Sequence, residues 1–435
     1  MSTLRPVPPS SLPHSSSRTS TPQAPDLQQD RLTRFLKPRL LAQLDTFEQG
    51  SITLLEGNEC HHLGQGGPLE AKVVILNSRA WKRMALGGTV GAAESYMDGD
   101  WDTDDLVVLV RLFAANLEHV NGTMENGSAR LARWLLGAAY RFQRNSRDGA
   151  KRNIAAHYDL GNDLFSTFLD REHWMYSSAV FPSPEASLEQ ASTYKLDLML
   201  EKLDVRPEHH LLEIGTGWGG LAIHAAKTRG CHVTTTTISE AQHAHTAKRI
   251  REEGLESRIT LLKQDYRELD GHYDRLISVE MIEAVGHHYL DTYLAKLDSL
   301  LKPDGIAMLQ AITIRDQRFE AAKREMDFIK RYIFPGGFLP SHHAILDSIR
   351  RKTSFNLLAL DEIGTHYART LREWRKRFEA SLEQVQKMGY DERFIRMWRY
   401  YLCYCEGGFL ERSIGTCHVL MAKPGAKRAP LTGAL

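Results

Sequence analysis

The sequence predicts an α/β fold, a parallel sheet preceded by a smaller amino-terminal α+β domain. The first observation is Leu211-Leu212-Glu213-Ile214 running into Gly215-Thr216-Gly217-Trp218-Gly219-Gly220, an apolar strand that enters a glycine turn and then an amphipathic helix. The second is the regular alternation of short apolar runs with helix-forming stretches after Leu211, the pattern of a parallel sheet covered by crossover helices. The third is Val73-Val74-Ile75-Leu76, a strand pattern well upstream and separated from the glycine turn by a change in composition.

Residues 1–28 read as a flexible tail, because Pro, Ser and Thr offer little apolar surface to offset ordering entropy. Residues 29–121 form the expected amino-terminal domain. Its apolar run Leu106-Val107-Val108-Leu109-Val110 is broken by Arg111 and Asn116, too short for a membrane span. Between 122 and 150, Arg130, Arg133, Arg141, Arg144 and Arg147 accompany Leu131, Trp134, Leu135, Tyr140 and Phe142, the composition of a basic amphipathic linker. Such a segment fits either a solvated interdomain helix or a contact with an anionic membrane surface. Residues 151–425 are the expected catalytic domain and 426–435 a second flexible tail. Within it the strands are Leu211 to Ile214, His232 to Ile238, Ile259 to Leu262, Leu276 to Val279 and Ile306 to Ala311. Leu221, Ala222, Ala225 and Ala226 mark the buried side of the helix after the glycine turn. Met326, Ile329, Ile333 and Phe334 recur on one side of an expected helix, which Pro335-Gly336-Gly337 ends.

Composition excludes several classes. The formal charge of +1 over 435 residues argues against a general nucleic-acid binder. Five cysteines, scattered and odd in number, do not make a secreted disulfide framework, so a reducing cytoplasm is expected. Cys403, Cys405 and Cys417 read as small buried hydrophobes, and no spacing predicts a metal site. With no leader or anchor evident, membrane contact is expected to be peripheral, at the inner face.

Gly215-x-Gly217-x-Gly219 places its third glycine too early for the dinucleotide fingerprint, and the second strand ends in Thr235-Thr236-Thr237 rather than a ribose-binding carboxylate. No Gly-Lys-Ser/Thr is present at the turn to wrap a triphosphate. S-adenosylmethionine fits better, since it needs an adenosine pocket and an electrostatic match for its sulfonium rather than a phosphate cradle.

Three blocks narrow the reading. His157-Tyr158-Asp159-Leu160-Gly161-Asn162-Asp163-Leu164-Phe165, Met175-Tyr176-Ser177-Ser178-Ala179 and Ser278-Val279-Glu280-Met281-Ile282-Glu283-Ala284-Val285-Gly286 together resemble the cyclopropane-fatty-acyl-phospholipid synthase family. The resemblance implies a methyltransferase-like Rossmann sheet that uses S-adenosylmethionine on a cis double bond of an unsaturated phospholipid. On the matching positions it implies that Gly215 and Gly217 line the cofactor, that Thr237 and Gln242 approach its ribose, that Asp265 and Tyr266 lie near adenosine, and that Tyr176 and Ser177 contact its methionine portion. It further implies a bicarbonate base held by a glutamate, a histidine and a tyrosine with backbone groups. Glu283 matches the glutamate, Tyr401 is the best match to the tyrosine, and Ile312 lies in the matching strand.

The chain departs from that pattern at several positions. Gln310 replaces a frequent histidine; its amide hydrogen-bonds but does not titrate. Glu280 stands three residues before Glu283, where glycine is usual. Ser178 stands where many relatives carry cysteine, and either bonds the bicarbonate or shapes the turn. These departures leave open a methyltransferase that yields a methyl-branched or methylene-bearing chain, and a membrane adaptor without catalysis. Double-bond position, headgroup and assembly, a homodimer included, are open at this level.

Overall fold

A computed structural model describes residues 30–116 and 161–428. The amino-terminal part begins with α1 (Arg31–Leu44), capped by the Asp30 carboxylate, which accepts the Thr33 N–H at 2.8 Å. Strands β1 (Gly50–Glu56), β2 (Glu59–Gly66), β3 (Glu70–Ile75) and β4 (Trp101–Thr103) form a sheet in the order β2-β1-β3-β4. β1 alternates strictly, with Ile52 and Leu54 turned to the core, as one covered sheet face requires. Helix α2 (Arg79–Met97) precedes β4, and α3 (Leu106–Ala115) follows it, capped by Asp105 through the Val107 and Val108 amides. The apolar run from Leu106 is thus one short core helix.

The second sheet is Rossmann-like. β5 (His210–Ile214), β6 (His232–Thr237), β7 (Ile259–Lys263), β8 (Tyr273–Val279) and β9 (Leu301–Ile314) are mutually parallel. Each contains or closely overlaps a strand read from the apolar pattern. Two further strands, β10 (Asn356–Glu362) and β11 (Ile414–Ala422), complete the order β10-β11-β9-β8-β5-β6-β7, with β11 antiparallel to both neighbours. β5 lies between β6 and β8, so the chain leaves the sheet in opposite directions on its two sides and opens a crevice at the strand ends. The basic linker at 122–150, the expected tail 1–28, residues 429–435 of the second tail, and His157 and Asp159 lie outside the described residues, whereas Arg428 donates to the Glu201 carbonyl at 3.1 Å.

The expected helix through Met326 to Phe334 is a single π turn, Ile329–Ile333, in which the Phe334 N–H reaches back to the Ile329 carbonyl at 2.7 Å. Pro335 prevents continuation, and the wide turn ends the segment with Phe334 in a cavity wall. A carboxy-terminal helix, Glu392–Leu410, joins the two parts. Its Arg396 donates to the carbonyls of Tyr96 and Trp101 at 2.6 and 2.9 Å, and a Cβ on its Gly407 would lie 2.7 Å from the Val110 side chain. The buried cluster that includes Ile52 and Leu112 therefore runs unbroken into Trp374 and Trp398. Among the described residues, no helix is long and apolar enough to cross a membrane.

Candidate active site

At the end of β5 the glycine turn folds because its backbone adopts angles that other residues avoid: Gly215 has φ +100° and Gly217 φ +53°. A Cβ on Gly215 would also crowd the Met281 side chain at 3.0 Å. The Gly215 and Thr216 amides donate to the Thr236 carbonyl, tying the turn to β6. Below it, the buried Glu213 carboxyl accepts from Thr235 Oγ1 at 2.6 Å, and burial pushes its pKa up to about 8, so the folded chain holds it neutral at pH 7.

Thr237 Oγ1 donates to Gln242 Oε1 at 2.9 Å, fixing the β6 end against the next helix. Asp265 takes two bonds from the Arg267 guanidinium, at 2.9 and 2.6 Å, and Tyr266 packs edge-on to Tyr293. Gly215, Gly217, Thr237, Gln242, Asp265, Tyr266, Tyr176 and Ser177 all border one cavity. An open glycine turn, hydroxyl and amide groups beside it and an aromatic wall fit S-adenosylmethionine, which these residues would hold.

Beyond the turn, the buried groups form a network written across three strands. Val279 of β8 pairs with Gln310 of β9, and Gln310 pairs with His418 of β11. Glu280, immediately after β8, adopts φ +50° and turns its carboxylate inward. Its Oε1 accepts the Ser178 N–H at 2.9 Å and the Gln310 amide at 2.7 Å, and its Oε2 accepts the Tyr367 hydroxyl at 2.8 Å. Burial raises the Glu280 pKa, opposed by these donors and by the Lys195 charge. Lys195 is itself pushed down to about 8 by burial and donates to Ser177 Oγ at 2.8 Å.

Glu283 sits one 3-10 turn further on. Its Oε1 accepts the Ile312 N–H, while Oε2 is buried with no hydrogen-bond partner among the described residues. Burial, reinforced by the Glu280 charge, holds this carboxyl well above the ordinary range. Of the two carboxyls, Glu280 has three donors that favour its charged form and Glu283 has one, so the proton is held more firmly on Glu283.

The structure brings most of the expected residues to one place. Ser178 contributes its N–H, its hydroxyl being spent on the Ala179 carbonyl at 3.0 Å. Tyr401 borders the cavity and bonds the Tyr176 hydroxyl at 2.9 Å. The tyrosine that reaches the Glu280 carboxylate is Tyr367, at the first turn of the helix Gly364–Ala380. Reading the sequence missed it, along with Lys195 and His418. For Tyr367 the available signal was a tyrosine opening an amphipathic helix; Lys195 and His418 gave none, since ordinary surface positions share their residue types. Cys403 and Cys417 are buried, and among the described residues no cluster of three or more His, Cys, Asp or Glu is placed to hold a metal.

The cavity measures about 730 Å³. It extends from Gly215 and the two carboxyls past Ile312 and Phe334 to Leu54, Trp81 and Phe113 of the amino-terminal part. Apolar walls over that length suit a hydrocarbon chain.

A sheet of this order with an open glycine turn at the end of β5 defines an S-adenosylmethionine-dependent methyltransferase. The mycolic acid cyclopropane synthetase family profile matches residues 145–419. Tuberculostearic acid methyltransferase of Mycobacterium tuberculosis is 40% identical over 339 residues, 75% of this chain and 77% of that protein. Cyclopropane-fatty-acyl-phospholipid synthase of Escherichia coli is 36% identical over 363 residues, 82% of this chain and 89% of that protein. A solved cyclopropane synthase of Mycobacterium tuberculosis superimposes with a TM-score of 0.59 at 29% identity, covering 63% of this chain and 98% of that one. The chain belongs to the cyclopropane-fatty-acyl-phospholipid synthase family of S-adenosylmethionine-dependent lipid methyltransferases.

Proposed function

We propose that the protein adds a methylene group from S-adenosylmethionine across the cis double bond of an unsaturated phospholipid acyl chain, giving a cyclopropane ring. The observation that carries this reading is the single cavity that joins the glycine turn, the carboxyl pair and an apolar passage through the amino-terminal part. Bound S-adenosylmethionine supplies an electrophilic methyl carbon on a good leaving group. The chain's own residues do the rest. The glycine turn and Thr237–Gln242 seat the donor, Phe334 and Ile312 orient the hydrocarbon, and the aromatic side chains of Tyr176, Tyr401 and Trp218 keep water from the cation that forms.

A specific observation favours a second product. The relative at 40% identity is a tuberculostearic acid methyltransferase, and Glu280 departs from the glycine expected at its position. On this reading the product is methyl-branched or methylene-bearing. Labelled cofactor and defined unsaturated phospholipids test both, with proton NMR of the product: high-field ring protons support the cyclopropane, vinylidene protons the alternative. No label in lipid, from protein that binds the cofactor, removes both.

The proposal places the enzyme at the inner face of a membrane, touching anionic headgroups through the basic segment 122–150, as a monomer or homodimer. Vesicle cosedimentation at low salt tests the contact. Equal binding to neutral and anionic vesicles removes it.

A further inference from the structure

We propose that Glu280 is the proton acceptor of the reaction, a carboxylate carried by the chain itself in the position where a free bicarbonate would otherwise be held. The inference rests on the methylene-transfer reading and deepens it. Glu280 pays a backbone penalty to be there: a non-glycine residue at φ +50° persists where surrounding contacts over-determine it, and such strain concentrates at working sites. Those contacts are the Ser178 N–H, the Gln310 amide and the Tyr367 hydroxyl, three donors converging from three separate elements on one carboxylate. Buried Lys195 adds a positive charge nearby.

A second anion does not fit this arrangement. All three donors already serve Glu280, the Ser178 hydroxyl is committed to the Ala179 carbonyl, and the Ile312 N–H is committed to Glu283. A free anion beside Glu280 would find these donors already taken, with only the Glu283 carboxyl left to offer a proton, and would face like-charge repulsion in a dry site. Glu280 borders the cavity alongside Gly215, Tyr176 and Glu283, so it faces the space where donor and alkene meet. Its Oε2 accepts a single hydrogen bond and keeps a lone pair for a proton.

The step balances without a further reactant. The alkene π pair forms the bond to the methyl carbon, sulfur keeps the pair of the broken sulfur–carbon bond, and the neighbouring alkene carbon becomes cationic. Glu280 Oε2 takes one proton from the new methyl group, and the released C–H pair closes the ring. For a methylene product, a hydride first moves to the cationic carbon, and the same proton loss leaves its pair as the exocyclic double bond. Either way Glu280 ends neutral and returns its proton to solvent between turnovers.

The test uses the full-length protein and its Glu280→Gln and Glu280→Gly variants in carbon-dioxide-free buffer. Calorimetric titration with sodium bicarbonate should give no saturable heat with the wild type and saturable heat with Glu280→Gly, whose side-chain loss frees the three donors. Turnover on dioleoyl phosphatidylglycerol vesicles should be unchanged for the wild type on adding bicarbonate. Glu280→Gln should lose about 10²-fold or more, while binding S-adenosylmethionine normally. Glu280→Gly should regain about tenfold on adding bicarbonate, in the manner of a base restored from solution. Saturable bicarbonate binding by the wild type, bicarbonate-dependent wild-type turnover, or undiminished turnover of Glu280→Gln each overturns the proposal while leaving methylene transfer intact. If Glu280→Gln does not fold, the Glu280→Gly titration decides. Wild-type protein that binds the cofactor but alkylates no unsaturated lipid overturns the functional reading, and this proposal with it.

Discussion

His418 Nε2 lies 3.0 Å from Gln310 Oε1, and this contact fixes which end of the Gln310 amide faces Glu280. Burial pushes the His418 pKa down to about 3, so the ring is neutral and its Nε2–H is the donor. With the oxygen held on that side, the amide nitrogen is presented to the carboxylate. His418→Phe removes the restraint and lets the amide turn its oxygen toward Glu280. A lost hydrogen bond to a charged group costs about 1.5–3 kcal/mol, equivalent to raising the Glu280 pKa by about one to two units. Because the base works when deprotonated, the pH profile of kcat/KM should move to higher pH, with activity recovering on the alkaline side. Superimposable profiles for variant and wild type would show that the contact has no such effect.

Glu283→Gln should separate chemistry from folding. The amide oxygen can still accept the Ile312 N–H, but the protonated carboxyl oxygen that has no partner in the buried wall is replaced by an amide nitrogen. Turnover should fall by about tenfold to a hundredfold while thermal unfolding stays close to wild type. Undiminished turnover would remove Glu283 from the mechanism.

Glu213 gives the fold a pH dependence of calculable sign. Its folded pKa, about 8, lies above the ordinary 4.5, so its contribution to stability is complete below about pH 4.5 and is lost as pH rises through 8. Lys195 slopes the other way, since its folded pKa of about 8 lies below 10.5, but its effect falls above pH 8. Between pH 5 and 8 the unfolding temperature of Glu213→Gln should therefore change less than that of the wild type. Parallel curves across that window would show that Glu213 is ionised in the folded chain.

Phe334→Ala should enlarge the hydrocarbon end of the cavity and shift kcat/KM toward longer or bulkier acyl chains, by about tenfold across a chain-length series. An equal loss on every chain, with a lower unfolding temperature, would mark structural damage instead.

The parallel half of the sheet was legible because buried strands in an α/β fold read as continuous apolar runs: Leu211–Ile214 and Leu276–Val279 are nearly uninterrupted. β10 was not, since its Leu357 and Leu358 are exposed on an edge and alternate with nothing. The turn after Val279 was legible as a departure, Glu280 for glycine, but not as a consequence. What makes Glu280 matter is the arrival of Tyr367 from 87 residues away and Ser178 from 102, separations that no local pattern encodes. The tyrosine was the hardest part: Tyr401 and Tyr367 both border the cavity, and only the packing of two helices decides which hydroxyl meets Glu280 and which meets Tyr176.

The void shared by Leu54, Trp81 and Phe113 at one end and Gly215 at the other divides the labour of the molecule. On the proposed function, one half would gauge the length and girth of the incoming hydrocarbon and the other would make and break bonds. A lineage can retune its lipid diet by exchanging side chains along the gauge while the chemistry downstream is inherited untouched.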